Sequence, residues 1–228
     1  MEIIDKNTVS AENQLSVSQY VQIHYPQNNG MRIMFVGNSI TLHGISPKIG
    51  WHHEHGMAAS CREKDYVHIV ESAVLKKHID ATFCICQVAF WENNYKSGTD
   101  HLHLYESARD FEPDVIIMRA VENCPRDNHN SDLFKKQYGA LIDYLNKNGK
   151  AKIIITDSFW PHIADKDIKE YADENGYPFV ALSDLPSDQS TMAFGLFEHD
   201  GVAHHPSDKG MALIAKRIIN CLDSNGVI

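Results

Sequence analysis

Residues Arg32 to Thr41 read RIMFVGNSIT. Arg32 to Val36 (RIMFV) is β-rich and continuously apolar after the arginine, as expected of a parallel strand buried on both faces. It runs without a spacer into Gly37-Asn38-Ser39-Ile40-Thr41, so a serine sits where the first core strand ends. Four further runs share the strand's character: Ala81 to Val88 (ATFCICQV), Asp114 to Met118 (DVIIM), Lys152 to Thr156 (KIIIT) and Phe179 to Leu182 (FVAL). Helical patterns lie between them. Met57 to Lys77 carries Val67, Val70 and Val74 at helical spacing, and Leu133 to Leu145 stops before Gly149, a residue suited to a left-handed helix end. The last helix, about Ser207 to Leu222, puts Met211, Ile214, Ala215, Ile218 and Leu222 on one stripe. Strands alternating with helices predict right-handed crossovers and a doubly wound α/β sheet, whose chemistry lies on loops beyond the carboxyl ends of the strands.

The 228 residues suit one generous domain, read as 31–228, preceded by a weakly patterned extension over 1–30. Within that extension Tyr20 to Tyr25 can add an edge strand, the alternative being a disordered leader. With 43% hydrophobic and 22% charged residues the chain can build a core, and its formal charge of −9 argues against nucleic acid as a partner. There is no membrane-spanning run and no basic-then-apolar export signal, so a cytoplasmic protein with no membrane partner is expected. The five cysteines lack C-x-x-C spacing and read as reduced thiols.

Three loops carry chemistry. Ser39, beside a glycine that permits a tight turn, can present its hydroxyl above the sheet with backbone N–H groups nearby. Asp200-Gly201-Val202-Ala203-His204-His205-Pro206 precedes the last helix, where the proline suits a helix start and holds His205 on a short connection. A histidine is the usual proton acceptor for a serine nucleophile, because its ordinary pKa of ~6.5 lies near neutrality and a carboxylate can fix its tautomer. Arg119-Ala120-Val121-Glu122-Asn123 follows the third strand, and an asparagine there can donate to an oxyanion. Each segment alone also reads as an ordinary polar turn.

Taken in order, the three segments resemble the SGNH hydrolases, also called GDSL esterases and lipases. Gly37-Asn38-Ser39-Ile40 stands where that family has Gly-Asp-Ser-Leu, Glu122-Asn123 where it has Gly-x-Asn-Asp, and His205-Pro206 where it has Asp-x-x-His-Pro. The resemblance spans about 31–222. Similarity extends to a bacterial subgroup with Gly-Asn-Ser-Ile-Thr, then Gly50-Trp51, Gly56-Met57-Ala58-Ala59-Ser60 and a closing Val202-Ala203-x-His-Pro. It implies a three-layer α/β/α, flavodoxin-like domain with a five-stranded parallel sheet. Three departures stand out. The second block's glycine is replaced by Ala89-Phe90-Trp91-Glu92, so the donor becomes the N–H of Ala89 or Phe90; Arg119 takes the third block's glycine position; and Val202 occupies the position of the family's aspartate.

The resemblance implies a serine ester hydrolase without a cofactor, acting on a small ester such as an acetylated carbohydrate. Ser39 is the nucleophile and His205 the base. Asp200 is expected to orient His205, with two alternatives: His204 paired to Asp200, or a Ser–His dyad oriented by a backbone carbonyl. Ser39, Ala89 and Asn123 form the expected oxyanion hole, and Trp51, Phe90, Glu92, Arg119 and Glu122 the expected substrate contacts. Two rivals are a noncatalytic carbohydrate-binding or scaffold protein and a metal-dependent hydrolase using Trp51-His52-His53-Glu54-His55. No metal is expected, since no HExxH-like spacing occurs.

Overall fold

The computed structural model describes residues 20–228. The expectation of a leader falls on residues 1–19, outside the described residues, except at its end, where β1 (Val21–His24) is an edge strand. The other strands are β2 (Arg32–Gly37), β3 (Thr82–Gln87), β4 (Val115–Met118), β5 (Lys152–Thr156) and β6 (Phe179–Val180). They form one six-stranded sheet in the order β1-β3-β2-β4-β5-β6. All neighbours are parallel except β1, which pairs antiparallel with β3 and sets His24 opposite Phe83. The five expected strands are therefore the parallel part of a six-stranded mixed sheet.

The helices are α1 (Tyr66–Leu75), α2 (Ala89–Asn94), α3 (Glu106–Arg109), α4 (Ser131–Leu145), α5 (Asp165–Asn175), α6 (Asp200–Ala203) and α7 (Asp208–Ser224). Alternation along β2 feeds two cores. Ile33 and Phe35 face Val67, Val70 and Val74 of α1 and the Met211, Ile214, Ala215, Ile218 and Leu222 stripe of α7. Met34 and Val36 face the other layer, with Phe134, Tyr138 and Leu141 of α4 and Ile168 of α5. Because both faces of the parallel strands are covered, the strand interiors are apolar, with polar residues only at their ends. Gly149 is left-handed, with φ 65°, but it does not stop α4: the helix ends at Leu145 with Asn146 as its cap, and Gly149 closes the turn that follows, its N–H donating to Asn146 O at 2.8 Å.

The expected helix over Met57 to Lys77 is shorter in the structure. The Asp65 carboxylate accepts the His68 N–H at 2.8 Å and so caps α1 at Tyr66. Upstream, Ala58 sits at φ 72°, a conformation no helix contains.

Candidate active site

β2 lies between β3 and β4, so the chain leaves it first to one side and later to the other. Ligands of doubly wound sheets bind at such a reversal. The ladder continues just past the strands: Val88 N–H donates to Gly37 O at 2.7 Å and Arg119 N–H to Val36 O at 2.8 Å. The loops after β3 and β4 thus leave on either side of Gly37. A Cβ at Gly37 would stand 2.0 Å from Thr41 Oγ1 and 2.9 Å from Arg119 O, so the close approach of this turn to the loop after β4 requires glycine. Thr41 and Leu42 N–H both donate to Asn38 O, at 2.8 and 2.9 Å, which folds Ser39 into a single turn at the end of the strand.

Ser39 Oγ lies 2.8 Å from His205 Nε2, although 166 positions separate them in sequence. The other ring nitrogen, Nδ1, is 2.6 Å from the carbonyl oxygen of Gly201. A carbonyl only accepts, so Nδ1 carries the hydrogen and Nε2 presents its lone pair to the serine hydroxyl. Burial holds the His205 pKa down at about 3, with His43 and Arg119 adding to the depression against the Gly201 hydrogen bond. The imidazole is therefore neutral at pH 7, as a proton acceptor must be. Trp160 packs edge-on against it, with ring centroids 5.0 Å apart.

Asp200 is not brought to His205. Residues 200–203 form a helical turn, not the loop that the sequence suggests, and the Asp200 carboxylate lies 3.3 Å from His204 Nδ1. At 3.6 residues per turn, side chains five apart point roughly 140° from one another, whereas those four apart share a face. The same spacing sets the carbonyl of Gly201 under His205 and that of Asp200 under His204, the latter at 2.7 Å. The His205 ring is thus oriented by a backbone carbonyl and not by a carboxylate. Val202, at the family's aspartate position, is buried beside Trp51 and Ala193.

Beneath Ser39 is a buried polar cluster. Asn38 Nδ2 donates to Glu92 Oε1 at 2.9 Å and to Glu122 Oε2 at 2.5 Å, and Arg119 Nη2 donates to Asn38 Oδ1 at 2.6 Å. Arg119 is also ion-paired with Glu122, whose Oε1 accepts the Phe159 N–H at 2.9 Å. Asn123 Nδ2 donates to Glu92 Oε2 at 2.5 Å. Glu92 and Arg119 have no exposed surface. Burial, and then the neighbouring Glu122 charge, push the Glu92 carboxyl upward, to about 7.

This geometry corrects several expected roles. The Glu92 and Arg119 side chains have no exposed surface and that of Glu122 is 4% exposed, so the three offer no contact surface to a substrate and brace the turn that carries Ser39. Trp51 is fully buried with Ile49, Met57 and Val202, under Phe197, so it forms a small core and not a pocket wall. Phe90 packs on Tyr20 and His101. Ala89 N–H donates to Gln87 Oε1 at 3.0 Å and is spent as an oxyanion donor, because α2 starts there and needs its first amide capped. Both N–H bonds of the Asn38 amide are used, whereas Asn123, with two and one described acceptor, keeps one. Tyr105, absent from the sequence reading, accepts the Trp91 N–H through its hydroxyl at 3.1 Å and fixes α2 from below.

No protein-family model matches the chain, and no curated protein matches it. Solved structures do. A two-domain esterase active on acetylated mannans, co-crystallised with mannopentaose, superposes with a TM-score of 0.56 at 18% identity over 89% of this chain and 57% of the other. A family two carbohydrate esterase from Clostridium thermocellum, in complex with cellohexaose, gives 0.56 at 16% identity over 87% and 65%. A lipolytic protein of the G-D-S-L family from Veillonella parvula gives 0.53 at 15% identity, over 83% of this chain and 97% of its own. The chain shares their fold. It spans 57% and 65% of the length of the first two. Among the described residues no helix is long and apolar enough to cross a membrane.

Proposed function

We propose that the protein hydrolyses small esters through a Ser39–His205 dyad, removing short acyl groups such as acetyl from a carbohydrate. The observation that carries the reading is the 2.8 Å approach of Ser39 Oγ to an Nε2 whose tautomer is fixed from the far side of the ring. Ser39 Oγ attacks the acyl carbonyl while its proton passes to His205 Nε2. The Gly201 carbonyl dipole, aimed at Nδ1–H, favours the imidazolium that forms. The tetrahedral oxyanion receives the Ser39 backbone N–H and the remaining N–H of Asn123. Collapse returns the proton to the leaving alkoxide and leaves an acyl-serine. Water, deprotonated by the same imidazole, then releases the carboxylate and regenerates Ser39.

Carbohydrate as the leaving alcohol is supported by the shared fold with esterases crystallised with oligosaccharides, and by Trp160 beside the catalytic imidazole, an aromatic plane on which a sugar ring can stack. The test is hydrolysis of a chromogenic acetate, combined with a serine-directed organophosphonate whose adduct is located by mass spectrometry. Adduct at Ser39, with turnover lost in Ser39→Ala, supports the proposal. A folded protein that neither turns over nor labels at Ser39 overturns it in favour of a noncatalytic binding role.

A further inference from the structure

On the far side of the β1–β3 edge, a cleft of about 690 Å³ opens between β1 and the start of α1. Two histidines meet in it, His24 from the end of β1 and His68 from the first turn of α1, with ring centroids 5.3 Å apart. Each imidazole has one nitrogen held by a buried carboxylate. His24 Nδ1 lies 2.6 Å from Glu71 Oε1, and His68 Nδ1 lies 2.7 Å from Asp65 Oδ1. The Glu71 and Asp65 side chains are 4% and 0% exposed, so both are fixed.

Carboxylates accept hydrogen bonds, so both Nδ1 atoms carry hydrogen and both Nε2 lone pairs are available. They converge on one cation, the Arg62 guanidinium, whose Nε is 2.5 Å from His68 Nε2 and whose Nη2 is 3.0 Å from His24 Nε2. A guanidinium has only donors, which confirms the acceptor role of both nitrogens. Arg62 belongs to a short exposed turn, Arg62–Lys64, and its long side chain is able to leave.

Two imidazoles, each with its second nitrogen on a carboxylate and its lone pair on a shared cationic point, offer the donor atoms and the supporting carboxylates that a metal centre uses. One ligand-capable atom from each of His24, His68 and Glu71 lies within 4.8 Å of the others, so the two rings and the carboxylate behind His24 share one small volume. Tetrahedral Zn²⁺, with bonds of about 2.0–2.1 Å to imidazole nitrogens, takes two such ligands together with water. Imidazole is a preferred ligand of zinc and its neighbours in the first transition row.

We propose that His24 and His68 form a binding site for a Zn²⁺-class divalent cation, with Glu71 and Asp65 orienting the imidazoles, Arg62 as the group that the ion displaces, and water completing the coordination. Such an ion ties the antiparallel edge strand to α1. It stabilises the folded state because the unfolded chain does not hold the two rings together. The site is separate from Ser39 and His205 and does not depend on the proposed esterase activity.

The experiment is calorimetric titration of chelator-stripped protein with ZnCl₂, with the melting temperature followed alongside. Wild type should bind one more Zn²⁺ than the His24→Ala, His68→Gln double variant and gain melting temperature from that ion, while the double variant gains none from it. Glu71→Gln should weaken the site at least tenfold, the usual cost of losing a carboxylate behind a ligating imidazole. Arg62→Ala, an exposed change that leaves the fold untouched, should tighten it by removing the competing cation. Equal stoichiometry and equal thermal response in wild type and double variant would overturn the proposal. So would Arg62→Ala binding Zn²⁺ more weakly than wild type.

Discussion

The carbonyl oxygen of Gly201 stands 2.6 Å from His205 Nδ1, in the place a triad gives to a carboxylate. The carbonyl belongs to the helical turn α6 and His205 follows that turn by two residues, so the acceptor is a backbone atom and needs no particular side chain. Asp200→Asn should therefore lower kcat/KM less than about tenfold, whereas removal of a true triad aspartate costs about 10⁴-fold. Steady-state kinetics on a chromogenic acetate decide this. A hundredfold loss would restore the acid to Asp200.

His205→Ala and Ser39→Ala should each lower kcat by at least ~10³-fold, and the double variant should be no worse than either alone, because in the proposed mechanism the two side chains act as one proton-transfer unit. His204→Ala should stay within a fewfold of wild type. Its ring is held by the Asp200 carbonyl and packs on Phe194, away from the serine hydroxyl that His205 contacts. Strict additivity of the Ser39 and His205 losses would argue that they do not work together.

How far the site could be read in advance depended on which interactions were local. Ser39 and His205 stand out through the order of their segments along the chain, a Gly-Asn-Ser turn after the first core strand and a His-Pro before the last helix, and not through either segment alone. The five parallel strands announce themselves as apolar runs because both their faces are covered. Asp200 misleads for a local reason: four residues of helix rotate it towards His204 and away from His205. Glu92, Arg119 and Glu122 mislead for a nonlocal one. Charged residues after strands read as pocket lining, and only the pairing of three distant loops around Gly37 turns them into a buried brace. The helix α5 was not marked at all, since its eleven residues DKDIKEYADEN offer only Ile168 and Ala172 as fully buried apolar side chains.

Trp51 tests that difference between wall and core. With no exposed surface and with Met57, Ala193 and Val202 around it, its loss empties a packed site. Trp51→Ala should destabilise the fold by about 3–5 kcal/mol in chemical denaturation, the usual cost of deleting a buried aromatic. Where the variant remains folded, KM should change little. A raised KM with unchanged stability would return Trp51 to the substrate.

Arg119 faces a harsher account, because it is buried among two carboxylates and bonded to Asn38. Arg119→Met should cost about 3–5 kcal/mol, mostly from stranding the Glu122 charge in a dry interior. Adding Glu122→Gln should recover part of that loss, since the stranded charge goes with it. Denaturant midpoints for wild type, both single variants and the double variant give the coupling. Equal stability of the single and double variants would show that Glu122 is solvated.

Glu92 gives the brace a pH signature whose sign follows from its raised pKa. The carboxyl titrates near its ordinary 4.5 in the unfolded chain and is pushed upward, to about 7, when buried beside Glu122. Between those values the native state holds a proton that the unfolded state has lost, so stability declines as pH rises through the window and the penalty is complete above it. His205 acts in the opposite sense, since its depressed pKa makes the native state lose stability as pH falls below the ordinary histidine range. That contribution is common to wild type and to Glu92→Gln, and it cancels in their difference. The glutamine cannot ionise, so the stability difference, Glu92→Gln minus wild type, should become more positive from pH 5 to pH 8. Urea midpoints of both proteins at the two pH values measure it. A difference independent of pH would mean that Glu92 ionises alike in folded and unfolded protein, and that the carboxylates beneath Ser39 do not share their cage with a proton.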